Sequence, residues 1–107
     1  MYNLLKKCIA PLAPSCREQE MTDFVLSEVQ PICDDCFTTP LGNVIAVKYG
    51  CGEHKKKLMY CAHMDEVGFI VSYIDDNGYI RFFNTGGPNM ISAAYQEVRF
   101  ANGTHGV

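Results

Sequence analysis

No uninterrupted apolar run in this chain approaches the roughly 18 residues that a membrane-spanning helix requires, which argues against a transmembrane role. A basic excess is missing as well. With 9 lysines and arginines against 12 aspartates and glutamates, the formal charge is -3 and the pI lies near 5.5. The one basic cluster, Lys55-Lys56-Lys57, reads as a solvated turn, so neither a nucleic acid nor an anionic membrane surface is expected as a partner. There is also no signal-peptide core, because Pro11 and Pro14 interrupt whatever follows Lys6-Lys7. A cytoplasmic protein is expected. Internal repeats and low-complexity segments are absent. Six cysteines could suggest a secreted disulfide framework, but their uneven spacing and the missing signal favour reduced thiols.

What is present fits one globular domain: 107 residues, 48% hydrophobic and 20% charged, enough to bury a core. Residues 2–9 can form a short helix that Pro11 stops. A clearer helix follows, with Ser15 and Glu18 as an S-x-x-E capping box and Met21, Phe24, Val25 and Val29 at helical spacing until Pro31. This helix should lay an apolar stripe on a sheet.

From Cys36 the period changes. Residues 36–38 and 44–47 read as strands joined at Pro40-Leu41-Gly42-Asn43. Residues 58–62, Leu-Met-Tyr-Cys-Ala, are continuously apolar, as expected of a central strand covered on both faces. A further apolar run over 67–74 meets Asp75-Asp76-Asn77-Gly78 and then residues 79–83, and Asn-Gly between strand-like runs marks a hairpin. Residues 98–101 read as a strand with Asn102-Gly103 as its turn. Only four residues then remain for a partner strand, so the chain has the look of a truncated one.

Directly after the apolar 58–62 segment comes Ala62-His63-Met64-Asp65-Glu66-Val67-Gly68-Phe69. On a strand, residues two apart share a face, so His63 and Asp65 would project together. At the carboxyl end of a buried strand they would open into the crevice where α/β sheets bind ligands. There His63 could bind a metal through one ring nitrogen while Asp65 orients the imidazole. Taken alone, H-x-D also describes a half-buried histidine paired for structural reasons.

The surrounding blocks decide between these. Leu41-Gly42-Asn43-Val44-Ile45-Ala46, then the apolar segment leading into the His63 motif, then Ile74-Asp75-Asp76-Asn77-Gly78-Tyr79-Ile80-Arg81-Phe82 and Gly86-Gly87, resemble the glutamyl aminopeptidase family, also labelled endoglucanase-M-like. The resemblance runs from the first helix to about Phe100, with the blocks in the family's order. It implies an α/β fold: the N-terminal part of a zinc-exopeptidase-like catalytic domain over residues 1–65, then the start of an inserted β-rich oligomerisation domain over 66–107. It implies two divalent metal ions, zinc or cobalt, with His63 a ligand of one and Asp65 the active-site carboxylate that orients it. Glu66 belongs to the motif without an assigned role. Peptides would be the substrates and a homo-oligomer the assembly.

Such enzymes further need a bridging aspartate, an adjacent glutamate pair, another acidic ligand and a final histidine, all later in the family's order than the point where this chain stops. His54, His105, Asp75 and Asp76 have no recognisable ligand spacing with His63. The 107 residues alone are therefore expected to be inactive. Residues 88–95 also lack the tryptophan and basic residue that often follow the glycine pair in relatives, which leaves the substrate preference open.

Two other classes compete. Cys33-x-x-Cys36 and Cys51-x-x-His54 have the spacing of a zinc ribbon, a closed structural site on a small binding module. Alternatively, the chain could be a sheet domain whose exposed edge pairs with another chain, aided by Tyr79, Phe82 and Phe83, although alternating core packing accounts for those aromatics too.

Overall fold

Backbone groups that leave a helix or strand must find other partners, and in this chain turns supply several of them. The protein is described here by a computed structural model covering residues 1–53 and 56–107. It is a mixed α/β chain that divides into two compact units, Met1–Asp65 and Glu66–Val107.

The first unit begins with α1, Tyr2–Cys8, as expected from the residues before Pro11. Lys7 Nζ ties it to α2 by an ion pair with Glu28 Oε1 at 2.9 Å. The second helix, α2, spans Gln19–Val29 and passes into a 3₁₀ turn, Gln30–Ile32, where Pro31 has no N–H to continue the ladder. Its stripe of Met21, Phe24, Val25 and Val29 is half-buried and packs on a hairpin formed by β1, Asp35–Thr38, and β2, Val44–Val47. The two strands are antiparallel, with Cys36 opposite Ala46 and Phe37 opposite Ile45.

The second unit contains a longer antiparallel hairpin of β3, Gly68–Ile74, and β4, Ile80–Thr85. Its register slips between Val71 and Tyr73, so Ser72 is an extra residue on β3, a bulge that strengthens local twist. The rings of Phe69 and Phe82 meet at 4.7 Å between centroids, tilted by 59°. A four-residue helix α3, Met90–Ala93, was not anticipated. Asn89 caps it, its Oδ1 accepting from the amides of Ile91 and Ser92 at 3.0 and 3.4 Å. A short pair of β5, Val98–Arg99, and β6, His105–Gly106, follows.

All three hairpins close in the same way. The amides of Gly42, Gly78 and Gly103 donate to the carbonyls of Thr39, Asp75 and Phe100, and each glycine is left-handed, with φ of 85°, 86° and 84°. A β-turn followed by a left-handed residue matches the twist of the flanking strands, and glycine adopts that conformation without a Cβ penalty. Asn77 therefore sits inside a four-residue turn and not in a two-residue Asn-Gly one.

Three expectations need correction. Residues 58–62 do not form a central strand. A strand exists only through ladder partners, and among the described residues none pairs with this segment; Leu58, Met59 and Tyr60 are 79%, 87% and 92% exposed. The strands form three separate two-stranded sheets. Burial is sparse, with Ala13 the one buried apolar residue and Thr22 the one buried polar residue among the described residues. Tyr79 and Phe83 are exposed and do not pack in a core. No helix among the described residues is long and apolar enough to cross a membrane.

The open end of the β1–β2 hairpin is clasped by Asp34. Its carboxylate accepts from the Tyr49 amide at 2.6 Å and from Lys48 Nζ at 3.1 Å, while the Tyr49 hydroxyl donates to Asp35. The amide and the ammonium hold the Asp34 carboxyl below its ordinary value of 3.8. Because the folded pKa is depressed, the clasp's contribution is present above pH 3.8 and is lost as pH falls below it through the lowered folded value. Hydrogen exchange at the Tyr49 amide, corrected for its intrinsic rate, should show protection disappearing over that acid window. An Asp34→Asn chain should lack this pH dependence.

Candidate metal-ligand site

The site starts from the turn before α2. Pro14 accepts from the Arg17 amide at 2.8 Å, which reverses the chain, and Cys16 takes a left-handed conformation with φ of 72°. A non-glycine residue there is uncommon and costs about 1–2 kcal/mol. Glu18 holds the turn in place, its Oε1 accepting from the Cys16 amide at 2.6 Å.

This geometry overturns the capping box. Ser15 does not cap α2; the N-cap is Glu18, and no side chain caps the helix there. The Ser15 hydroxyl donates instead to Asp65 Oδ2 at 2.7 Å, fifty residues on in the chain. A charged acceptor makes a shorter and stronger hydrogen bond than a neutral backbone group, so the carboxylate wins the hydroxyl.

Asp65 in turn meets His63. The imidazole Nδ1 lies 3.0 Å from Asp65 Oδ1 and 2.9 Å from the Asp65 main-chain oxygen. His63 and Asp65 therefore converge as expected, but through a local curl of the chain and not on one face of a paired strand. Both partners of Nδ1 are acceptors, so Nδ1 carries the proton and the neutral ring leaves its Nε2 lone pair free. The side chain is 86% exposed. Donors at both oxygens, Ser15 first and His63 second, hold the Asp65 carboxyl below its usual range and keep it ionised near neutrality.

Around this pair runs a groove of about 400 Å³ whose lining includes Cys16, Arg17, Leu41, Asn43, His63 and Asp65. It joins the turn before α2 to the tip of the β1–β2 hairpin, so the Leu41-Gly42-Asn43 block of the sequence lies beside His63.

An imidazole whose Nδ1 faces a carboxylate can present its other nitrogen to a metal ion, with the carboxylate orienting the ring from behind. It could supply at most one ligand. Among the described residues no three His, Cys, Asp or Glu side chains gather closely enough to hold an ion. The zinc-ribbon reading gains no support from this. Cys33, Cys36 and Cys51 are free thiols that form no such group, and His54 lies outside the described residues. In β1, Cys36 pairs across to Ala46 as an ordinary strand residue. His105 pairs elsewhere, with Glu97 Oε1 at 2.6 Å, and Asp75 accepts from the amides of its own turn, Asn77 and Tyr79.

Comparison with known proteins places the chain in a class of peptidases. Residues 42–107 match the M42 glutamyl aminopeptidase family. A relative from Acetivibrio thermocellus is 42% identical over 106 residues, covering 99% of this chain and 31% of its own length. The lysyl aminopeptidase of Pyrococcus furiosus is 33% identical over 100 residues, covering 92% of this chain and 28% of its own. Among solved structures, an aminopeptidase from the archaeon Desulfurococcus kamchatkensis superposes with a TM-score of 0.84 at 33% identity, over 96% of this chain and 29% of that one. The chain belongs to the M42 glutamyl aminopeptidase family. It spans under a third of the length of these relatives.

Nothing in spacing or periodicity links Ser15 to Asp65, and the sequence reading spent that hydroxyl on a helix cap. The left-handed Cys16 carries a testable cost. Cys16→Gly removes the Cβ that the conformation disfavours and should stabilise the chain by about 0.5–1 kcal/mol, whereas Cys16→Val should destabilise it by more. Denaturant titration of the two variants beside the parent chain measures both.

Proposed function

We propose that this chain is the N-terminal portion of a metal-dependent aminopeptidase that removes N-terminal residues from peptides. The observation that carries the reading is the setting of His63: its Nδ1 lies 3.0 Å from Asp65 Oδ1 and 2.9 Å from the Asp65 main-chain oxygen, on a side chain that is 86% exposed. Family membership supports the peptidase class.

In this reading His63 holds one of two divalent ions, zinc or cobalt, through Nε2. Asp65 fixes the tautomer and the ring plane and raises the basicity of the ligating nitrogen. Such ions supply Lewis acidity toward the scissile carbonyl and a water acidic enough to attack near neutral pH. This chain's own contribution is orientation: an ionised carboxylate that keeps the Nδ1 proton in place and a groove in which a peptide terminus can lie. A site of three or four protein ligands needs more than His63, so the 107 residues alone should not hydrolyse peptides.

Residues 1–65 begin the catalytic domain in this reading, and residues 66–107 begin an inserted β-rich domain used in homo-oligomerisation, which the hairpins β3–β4 and β5–β6 support. A cytoplasmic setting suits six free thiols.

The test is a hybrid in which residues 1–107 replace the matching segment of the Pyrococcus furiosus lysyl aminopeptidase. It should release lysine from lysyl amides in a metal-dependent way. His63→Ala should abolish that release, and Asp65→Asn should lower it by about 10–100-fold. Undiminished lysine release by the His63→Ala hybrid would sink the assignment.

A further inference from the structure

We infer that Ser15 is a positioning residue for the His63 site, acting through Asp65; the inference rests on the reading of His63 as a metal ligand. A carboxylate turns easily about its Cβ–Cγ bond, because that torsion is broad and roughly two-fold. Asp65 is denied this freedom. Its Oδ2 accepts from the Ser15 hydroxyl at 2.7 Å and its Oδ1 faces His63 Nδ1 at 3.0 Å, so both oxygens are pinned and the plane of the group is fixed.

The imidazole has a second acceptor for its Nδ1 proton, the Asp65 main-chain oxygen at 2.9 Å. Loss of Ser15 would therefore leave the tautomer intact. What would go is the fixed carboxylate plane, and with it the fixed ring plane and the charge held against Nδ1. Those set how well Nε2 is aimed and how basic it is, which are the quantities a metal ion senses.

The turn that carries Ser15 is built around this aim. The hydroxyl donates to Asp65 and caps no helical amide. The next residue, Cys16, is held left-handed, and its amide is bound by Glu18 Oε1 at 2.6 Å. A strained residue held by its neighbours beside a groove is a common mark of a functional segment. Here the left-handed residue directly follows the serine whose contact, fifty residues across the chain, leads through Asp65 to His63.

The experiment uses the lysyl aminopeptidase hybrid, purified free of metal, with zinc ions alone titrated against a chromogenic chelator. Ser15→Ala should weaken zinc binding by about tenfold, toward the lower end of the effect of losing a partner that orients a ligand. Ser15→Thr keeps a hydroxyl and should restore parental affinity. Affinity is read well below the melting temperature of each metal-free variant, where a role confined to holding the turn would change stability and leave zinc binding unmoved. Parental zinc affinity in Ser15→Ala, or equal weakening in Ser15→Thr, overturns the inference. His63→Ala is run in parallel. If it lowers zinc affinity while Ser15→Ala does not, the ligand reading stands and only the Ser15 role falls; if His63→Ala leaves affinity unchanged, the ligand reading itself falls.

Discussion

The Asp65 carboxylate is the group on which the arrangement around His63 depends. One of its oxygens is reached from the turn before α2 and the other from the imidazole two residues back. Deleting the negative charge would weaken the contacts of the Ser15 hydroxyl and of the imidazole together, leaving the Asp65 main-chain oxygen as the other acceptor for Nδ1. The carboxylate needs no burial to do this, because two donors hold its pKa down while water still reaches it. Its strength is in geometry: two short contacts from separate segments define one plane.

Elsewhere local chemistry outweighs burial. Three hairpins close on left-handed glycines, and each strand pair is satisfied by its own partner. Isolated two-stranded sheets are marginal in water, since a hairpin buries too little apolar area to offset the ordering of its residues. The half-covered stripe of α2 on β1–β2 adds some of that area in the first unit. In the second unit, β3 and β4 show apolar side chains to solvent, among them Ile70, Tyr73 and Phe83.

The parts of the fold legible in sequence are those that neighbours along the chain decide. Gly42, Gly78 and Gly103 mark three turns because a left-handed residue is a local demand, and strand pairing follows from the turn. Residues 58–62 misled because a continuous apolar run implies a covered strand only when partner strands are at hand, and periodicity carries no information about partners. Ser15 misled for a different reason. An S-x-x-E pattern offers a hydroxyl to helix amides, but a hydroxyl has one proton, and a carboxylate fifty residues away competes for it more strongly. His63 and Asp65 were legible because two residues of separation is close enough for them to meet on a strand or on a curl.

The same contrast bears on the metal site proposed for His63. Affinity for zinc grows with the number of ligands, and one imidazole holds an ion weakly however well it is aimed. Orientation is a separate quantity, set by the groups behind the ligand, and here those groups are complete: a proton on Nδ1, a carboxylate facing it and a hydroxyl behind the carboxylate. If His63 is the ligand proposed for it, an ion would meet a nitrogen that the groups behind it already orient. Cys16, left-handed and bound at its amide by Glu18, is the residue next to the serine that reaches Asp65.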